Sequence, residues 1–194
     1  ALRETVAKAA RYYATLGLGS FAAGNADGGL TTIEEKSLGA YMKSGQSQIS
    51  GIIKPGDIPP RGGLYLMDVV PDGEVRFGFP NISDNAEIVE MMASGAHCTL
   101  FVTGRGSVVG SALAPVLKIA ANPHMYANLS EDMDVNAGRI LNGDTGLEEV
   151  ADEIYAGVLA LASGATSKSE ELGHTEFILT YKSFEPLGPA CLPA

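Results

Sequence analysis

Two apolar runs, LYLMDVV at 64–70 and HCTLFVTG at 97–104, constrain the fold most. Neither alternates apolar with polar residues, so neither can be a strand with one wet face. A strand apolar on both faces belongs to a parallel sheet covered by helices on both sides. The segments between and after these runs carry helical signals. Ser83 or Asp84 caps a helix to about Ser94, with Ile88, Val89 and Met92 inward. Thr145-x-x-Glu148 reads as a capping box before a face of Leu147, Val150, Ile154, Val158 and Leu161. Strands alternating with helices predict an α/β fold, three-layered and Rossmann-like, with a mostly parallel sheet.

The remaining elements follow from local chemistry. Residues 2–15 repeat apolar positions at helical spacing. Residues 17–29 are a Gly/Asn/Asp loop. Thr31-x-x-Glu34 and Thr32-x-x-Glu35 both fit a capping box, so a helix is expected to about Lys43, with Gly45 as its stop. A helix is expected around Pro115–Ala121, with Pro115 in its first turn. A short strand is expected at 124–130, a short helix in DVNAGRIL, and a last strand at 175–181. The chain is read as one domain over 1–194. Its start, ALRETVAKAARYY, lacks Met and a signal-peptide pattern, which predicts a domain cut from something longer.

Composition narrows the partners. Apolar residues make up 45% of the chain, enough for a core, and no apolar run approaches a membrane span. A net charge of −10 with no basic patch argues against nucleic acid. Two cysteines, Cys98 and Cys191, form no disulfide framework or zinc spacing, which points to a reducing cytoplasm. His97, His124 and His174 have no metal-like spacing and read as structural or exposed.

Three polar blocks are candidates for chemistry. In open parallel sheets ligands bind beyond the carboxyl ends of the strands. There the loop TGRGSVVGS offers Thr103, Arg105 and Ser107 on a glycine-rich backbone, a combination suited to a carboxylate. The bland alternative is a tight turn with a solvated arginine. Its G-x-G-x-x-x-G spacing fits a dinucleotide fingerprint only loosely, because no acidic residue follows at the ribose distance. The second block, SEDMDVNAG, alternates Asp132 and Asp134, which in extended backbone project to one face and suit a hard divalent metal. An acidic helix cap explains them equally well. The third, GGLTTIEEKSLGAYMKSG, stacks Lys36 and Lys43 on one face across two turns, beside Glu35 and Ser37.

Taken in order, GNADGGLTTIEEKSLGAYMKSGQS, TGRGSVVGSALAPVLKIAANP and DMDVNAGRILNG resemble the C-terminal domain of the altronate/galactarate dehydratase family. The resemblance runs from about Gly24 to the tail. It implies dehydration of a sugar acid to a 2-keto-3-deoxy acid, with a divalent metal, Fe²⁺ or Mn²⁺ and less readily Mg²⁺. Superfamily relatives eliminate sulfite from sulfolactate instead. The family-like residues are Asn25, Glu34, Glu35, Lys36, Ser37, Thr103, Gly104, Arg105, Gly106, Asp132, Asp134, Asn136 and Gly138. Gly45-Gln46-Ser47 departs from the expected Gly-Gly-Thr; Ser47 keeps the hydroxyl.

The roles implied are Lys36 or Lys43 as base and Glu35, or an aqua ligand of the metal, as acid. Arg105 and Ser107 hold the substrate carboxylate, and Asn25, Ser37, Ser47, Thr103 and Asn136 make polar contacts. Asp132 and Asp134 hold the metal. The implied partners are an anionic sugar acid and the absent N-terminal domains, in the same polypeptide or a partner subunit. Apolar surface left by such domains is compatible with a homo-oligomer. A non-catalytic binding or assembly module is the reading from a different class.

Overall fold

A computed structural model describes residues 3–8, 11, 45–70 and 83–178. The chain divides into two compact units, residues 1–77 with 183–194, and residues 78–182. Both are α/β where described, with parallel strands.

In the first unit residues 3–8 are helical, as their spacing predicts. β1 (Ile49–Ile53) pairs in parallel with β2 (Leu64–Met67). The expected strand at 64–70 is thus shorter than its apolar run, and β1 is an addition to the expected elements. The run ends because Asp68 serves as a polar hub at the carboxyl end of β2. Its buried carboxylate accepts from the ammonium groups of Lys8 and of Lys54, the latter at 3.0 Å, and from the Val70 amide at 3.2 Å. Lys8 also reaches the Val70 carbonyl at 2.8 Å.

Burial pushes the Asp68 carboxyl up, but the hydrogen bonds and charges of Lys8 and Lys54 outweigh it, and the net shift is downward. A lowered folded-state value means that this contribution to stability is complete above the unfolded aspartate value, about pH 4, and is lost as pH falls through the folded one. Acid titration followed by circular dichroism is expected to show an unfolding limb below about pH 4 that Asp68→Asn flattens. An unchanged acid limb in that variant would remove Asp68 from the account.

The second unit is built on the order β3-β4-β5, all parallel, from β3 (Thr99–Thr103), β4 (Val116–Ala120) and β5 (Val135–Asn136). The helices are α1 (Asp84–Ala93), α2 (Pro123–Asn128), α3 (Leu147–Ala162) and α4 (Lys168–Glu171), with a 3₁₀ turn at Ala137–Ile140. One face of the sheet, Leu117, Ile119 and Val135, packs on Val150, Ile154, Val158 and Leu161 of α3. The other face carries two clusters. Val116 meets Ile88 and Met91 of α1, while Ala120 meets Met125 and Tyr126 of α2 together with Met133. Three layers result around β4, but the two runs that predicted them are not covered on both faces: Leu64 and Leu66 of β2 and Leu100 and Val102 of β3 are exposed, and only β4 is buried throughout.

Several expected elements change type. Residues 116–120 form the central strand rather than a helix, and all five are buried. VLKIA is as apolar as a buried strand requires, and Pro115 is tolerated because it precedes the ladder. Residues 123–128 are helical, not extended: Asn122 Oδ1 accepts the His124 and Met125 amides, and Pro123 occupies the first turn. DVNAGRIL splits into β5 and the 3₁₀ turn. Gly146 caps α3 in place of Thr145, whose hydroxyl bonds Glu149, and Leu147 is exposed. Ser83 does cap α1, accepting from the Ala86 amide at 3.4 Å. Residues 175–178 are not a strand; the rest of the expected last strand, and the expected helix at 31–43, lie outside the described residues.

Candidate active-site edge of the second unit

Parallel strands bring their carboxyl ends to one edge, and three polar connections meet there. The Ala121 amide bonds the Thr103 carbonyl at 2.9 Å, and Ala120 is in register with Asn136. The ends of all three strands are therefore joined.

After β3, Thr103 Oγ1 accepts the Gly106 amide at 3.1 Å and closes the turn Thr103–Gly106, on which Arg105 is exposed. Gly106 has φ +92, a conformation that favours glycine, and a Cβ there would crowd the Leu129 side chain at 2.3 Å. Ser107 Oγ accepts the Val109 amide at 3.1 Å. The Thr103 and Ser107 hydroxyls thus shape the loop with their acceptor side and keep their O–H donors. Residues 174–176 strap the far end of the loop. Glu176 Oε2 accepts the Gly110 amide at 3.0 Å, its carbonyl accepts the Ala112 amide at 3.3 Å, and His174 Nδ1 meets the Val108 carbonyl. Of the two readings expected for His174, structural or exposed, the strap gives it the structural one.

After β5, Asn136 begins the 3₁₀ turn. A Cβ at Gly138 would stand 2.4 Å from Pro123 N and 2.6 Å from Asn122 C, so the turn presses directly on the β4–α2 corner. The Asn136 side chain is half-buried, and its Oδ1, sealed from solvent, receives no hydrogen bond. By strand alternation it lies on the face of Ala120 and Lys118.

Lys118 has no place in the expected site, yet it is the most unusual residue of this edge. It sits in mid-β4, fully buried at 0% exposure, with no hydrogen-bond partner for Nζ. Its nearest counter-charge is Asp132 Oδ1 at 3.8 Å. Burial pushes the Lys118 ammonium below its ordinary range, opposed by the charges of Asp132, Asp134 and Glu176. A helix at 115–121 would have hidden this signal, since a helical lysine can reach solvent. A buried strand leaves it nowhere to go.

The expected pair Asp132 and Asp134 does not share one extended face. Asp132 lies in a turn, and its amide bonds the Leu129 carbonyl at 3.0 Å. Asp134 braces backbone: Oδ2 accepts the Lys118 amide at 2.7 Å and Oδ1 the Lys168 amide at 2.9 Å, while its own amide bonds the Lys118 carbonyl. As donors to a divalent metal the two fit poorly. Asp134 has both oxygens engaged, and Asp132 already faces an ammonium. A divalent ion about 4 Å from that ammonium would meet a repulsion of order 8 kcal/mol at an effective dielectric of about 20. Among the described residues no three His, Cys, Asp or Glu side chains converge on a metal position.

The other expected site residues fall elsewhere. Ser47 is exposed in the first unit, ahead of β1. Asn25, Glu35, Lys36, Ser37 and Lys43 lie outside the described residues.

The second unit is thus an α/β domain whose parallel sheet presents a glycine-rich, arginine-bearing turn and an asparagine at its carboxyl edge. Comparison with known proteins supplies the family. Residues 2–184 match the D-galactarate/altronate dehydratase C-terminal family, and the chain belongs to it. It is 37% identical over 159 residues, 81% of the chain, to the beta subunit of (2R)-sulfolactate sulfo-lyase from Chromohalobacter salexigens, covering 38% of that protein. It is 34% identical to galactarate dehydratase (L-threo-forming) from Escherichia coli, over 73% of the chain and 25% of that enzyme. Altronate dehydratase from Bacillus subtilis is 32% identical, over 76% of the chain and 27% of that enzyme. The chain therefore spans well under half the length of these relatives. Among the described residues no helix is long and apolar enough to cross a membrane.

Proposed function

We propose that the chain is the C-terminal domain of a cytoplasmic lyase that removes water from a hydroxylated sugar acid such as galactarate or altronate. The observation that carries this reading is the Thr103–Gly106 turn, which displays Arg105 at the carboxyl edge of the sheet, the edge on which β5 ends in Asn136. A substrate carboxylate suits the guanidinium fork, and the free O–H groups of Thr103 and Ser107 suit substrate oxygens.

Dehydration takes the proton α to the carboxylate and breaks the C–O bond at the next carbon. The hydroxyl leaves as water, and the resulting enol becomes the 2-keto-3-deoxy acid. Arg105 and the amides of its turn hold the carboxylate as charge spreads onto it. The Ser107 and Thr103 O–H groups and Asn136 orient the hydroxyls. Lys36 or Lys43 as base and Glu35 as acid complete the proposal on the strength of the family resemblance. Asn25, Ser37 and Ser47 add substrate contacts on the same ground.

In the full-length protein, Arg105→Ala is expected to lower kcat/KM about 30- to 150-fold, the equivalent of about 2–3 kcal/mol for a lost charged hydrogen bond. Unchanged kcat/KM would take Arg105 out of the site and favour a non-catalytic assembly role for this domain.

A second reading, cleavage of a C–S bond with loss of sulfite, is favoured by the 37% identity to the sulfolactate sulfo-lyase subunit. Both reactions remove an α-proton and expel a group from the β-carbon, so the same edge serves either. Assays of the full-length protein with galactarate, altronate and sulfolactate separate them. A 2-keto acid without sulfite supports dehydration; sulfite release with sulfolactate alone overturns it.

A further inference from the structure

The acidic turn between α2 and β5 faces a buried cation of the chain itself. Asp132, Asp134 and Glu176 come from separate places, a turn, a strand entry and the strap at 174–176, and all three bear on one buried group, the Lys118 ammonium. Along its face of β4 Lys118 has only Val116 and Ala120 for neighbours, both fully buried. Of the three, Asp132 stands at ion-pair distance from Nζ, and Asp134 and Glu176 add charge from farther off.

We infer that Lys118 is the resident cation of the Asp132–Asp134 turn and takes the place that a divalent metal would occupy. Three observations agree. Asp132 Oδ1 stands at ion-pair distance, 3.8 Å, from Nζ, with the lysine side chain at 0% and the aspartate at 19% exposure. Asp134 contributes charge while both its oxygens are held by the backbone amides of Lys118 and Lys168, so its geometry is set by the strand and not by an ion. The same carboxylate ties the Lys118 backbone to the start of β5, which fixes the lysine and its counter-charges as one piece. The consequence is chemical. At this edge the cation belongs to the chain, and any divalent metal that the complete enzyme holds is bound without these two aspartates.

The test uses the full-length protein and does not depend on which acid it acts on. Metal content by plasma emission is expected to be the same in the parent and in Asp132→Asn; loss of one equivalent in Asp132→Asn overturns the inference. Lys118→Gln is expected to be less stable than the parent in denaturant unfolding, and Asp132→Asn added to it is expected to restore part of that loss. No restoration in the double variant also overturns the inference. If Lys118→Gln fails to fold, the metal content of Asp132→Asn decides alone.

Discussion

Replacing Lys118 by alanine is expected to destabilise the second unit by about 3–5 kcal/mol, the range for removing one partner of a buried charge pair. Two effects combine. A cavity opens where four methylenes had packed in mid-strand, between the α1 cluster and the α2 cluster. Asp132 and the carboxylates of Asp134 and Glu176 lose the charge that offsets their mutual repulsion. The two contributions separate by substitution. Lys118→Met keeps most of the volume, so what it loses is mainly electrostatic. Adding Asp132→Asn to Lys118→Met is expected to recover part of that loss, because a neutral pair in this position leaves no uncompensated charge. Denaturant unfolding of the three variants gives the numbers. A loss below about 1 kcal/mol in Lys118→Ala, the size of an exposed pair, would show that the lysine is solvated after all.

Gly138→Ala is expected to cost about 3 kcal/mol and to lower kcat/KM with it. The positions that the new Cβ would meet are backbone, Pro123 N at 2.4 Å and Asn122 C at 2.6 Å, and backbone cannot rotate aside as a side chain can. The 3₁₀ turn Ala137–Ile140 must then lift from the β4–α2 corner, carrying Asn136 with it. Gly143→Ala is the control. It sits just beyond the same turn at φ +75 with open space around it, so it carries backbone strain without a collision. Its expected cost is about 1 kcal/mol, with kcat/KM unchanged. Equal activity in the two variants would detach the turn from the site.

The substrate edge was legible only in part. TGRGSVVGS announced its turn through glycine and hydroxyl chemistry, and the structure closes that turn with Thr103 Oγ1. Asn136 was anticipated as a polar contact and lies at the edge. Asp132 and Asp134 were visible as charges, but their partners were not. One partner is a lysine 14 residues before Asp132, and another is the amide of Lys168, from a helix later in the chain. Neither relation leaves a local spacing to read. Residues 123–128 show the same limit in reverse: Asn122-Pro123 is a helix start in plain sight, outweighed by the β-like look of HMYANLS.

The amino-acid sequence by itself determined that this protein is an α/β domain with parallel strands. Apolar runs of strand length alternating with helical patterns favour parallel pairing, although the full two-sided burial expected of 64–70 and 97–104 is found only in β4. It also determined the Gly-rich turn and a cap at Ser83 or Asp84, of which the structure uses Ser83, because turn and cap chemistry is complete within four residues. Tertiary structure alone decided which segment is the central strand. VLKIA satisfies helix and strand alike until Thr99–Thr103 and Val135–Asn136 lie on either side of it. That choice then buries Lys118. Burial is a property of the whole packed unit, and it turns an ordinary lysine and an ordinary acidic turn into a coupled charge site.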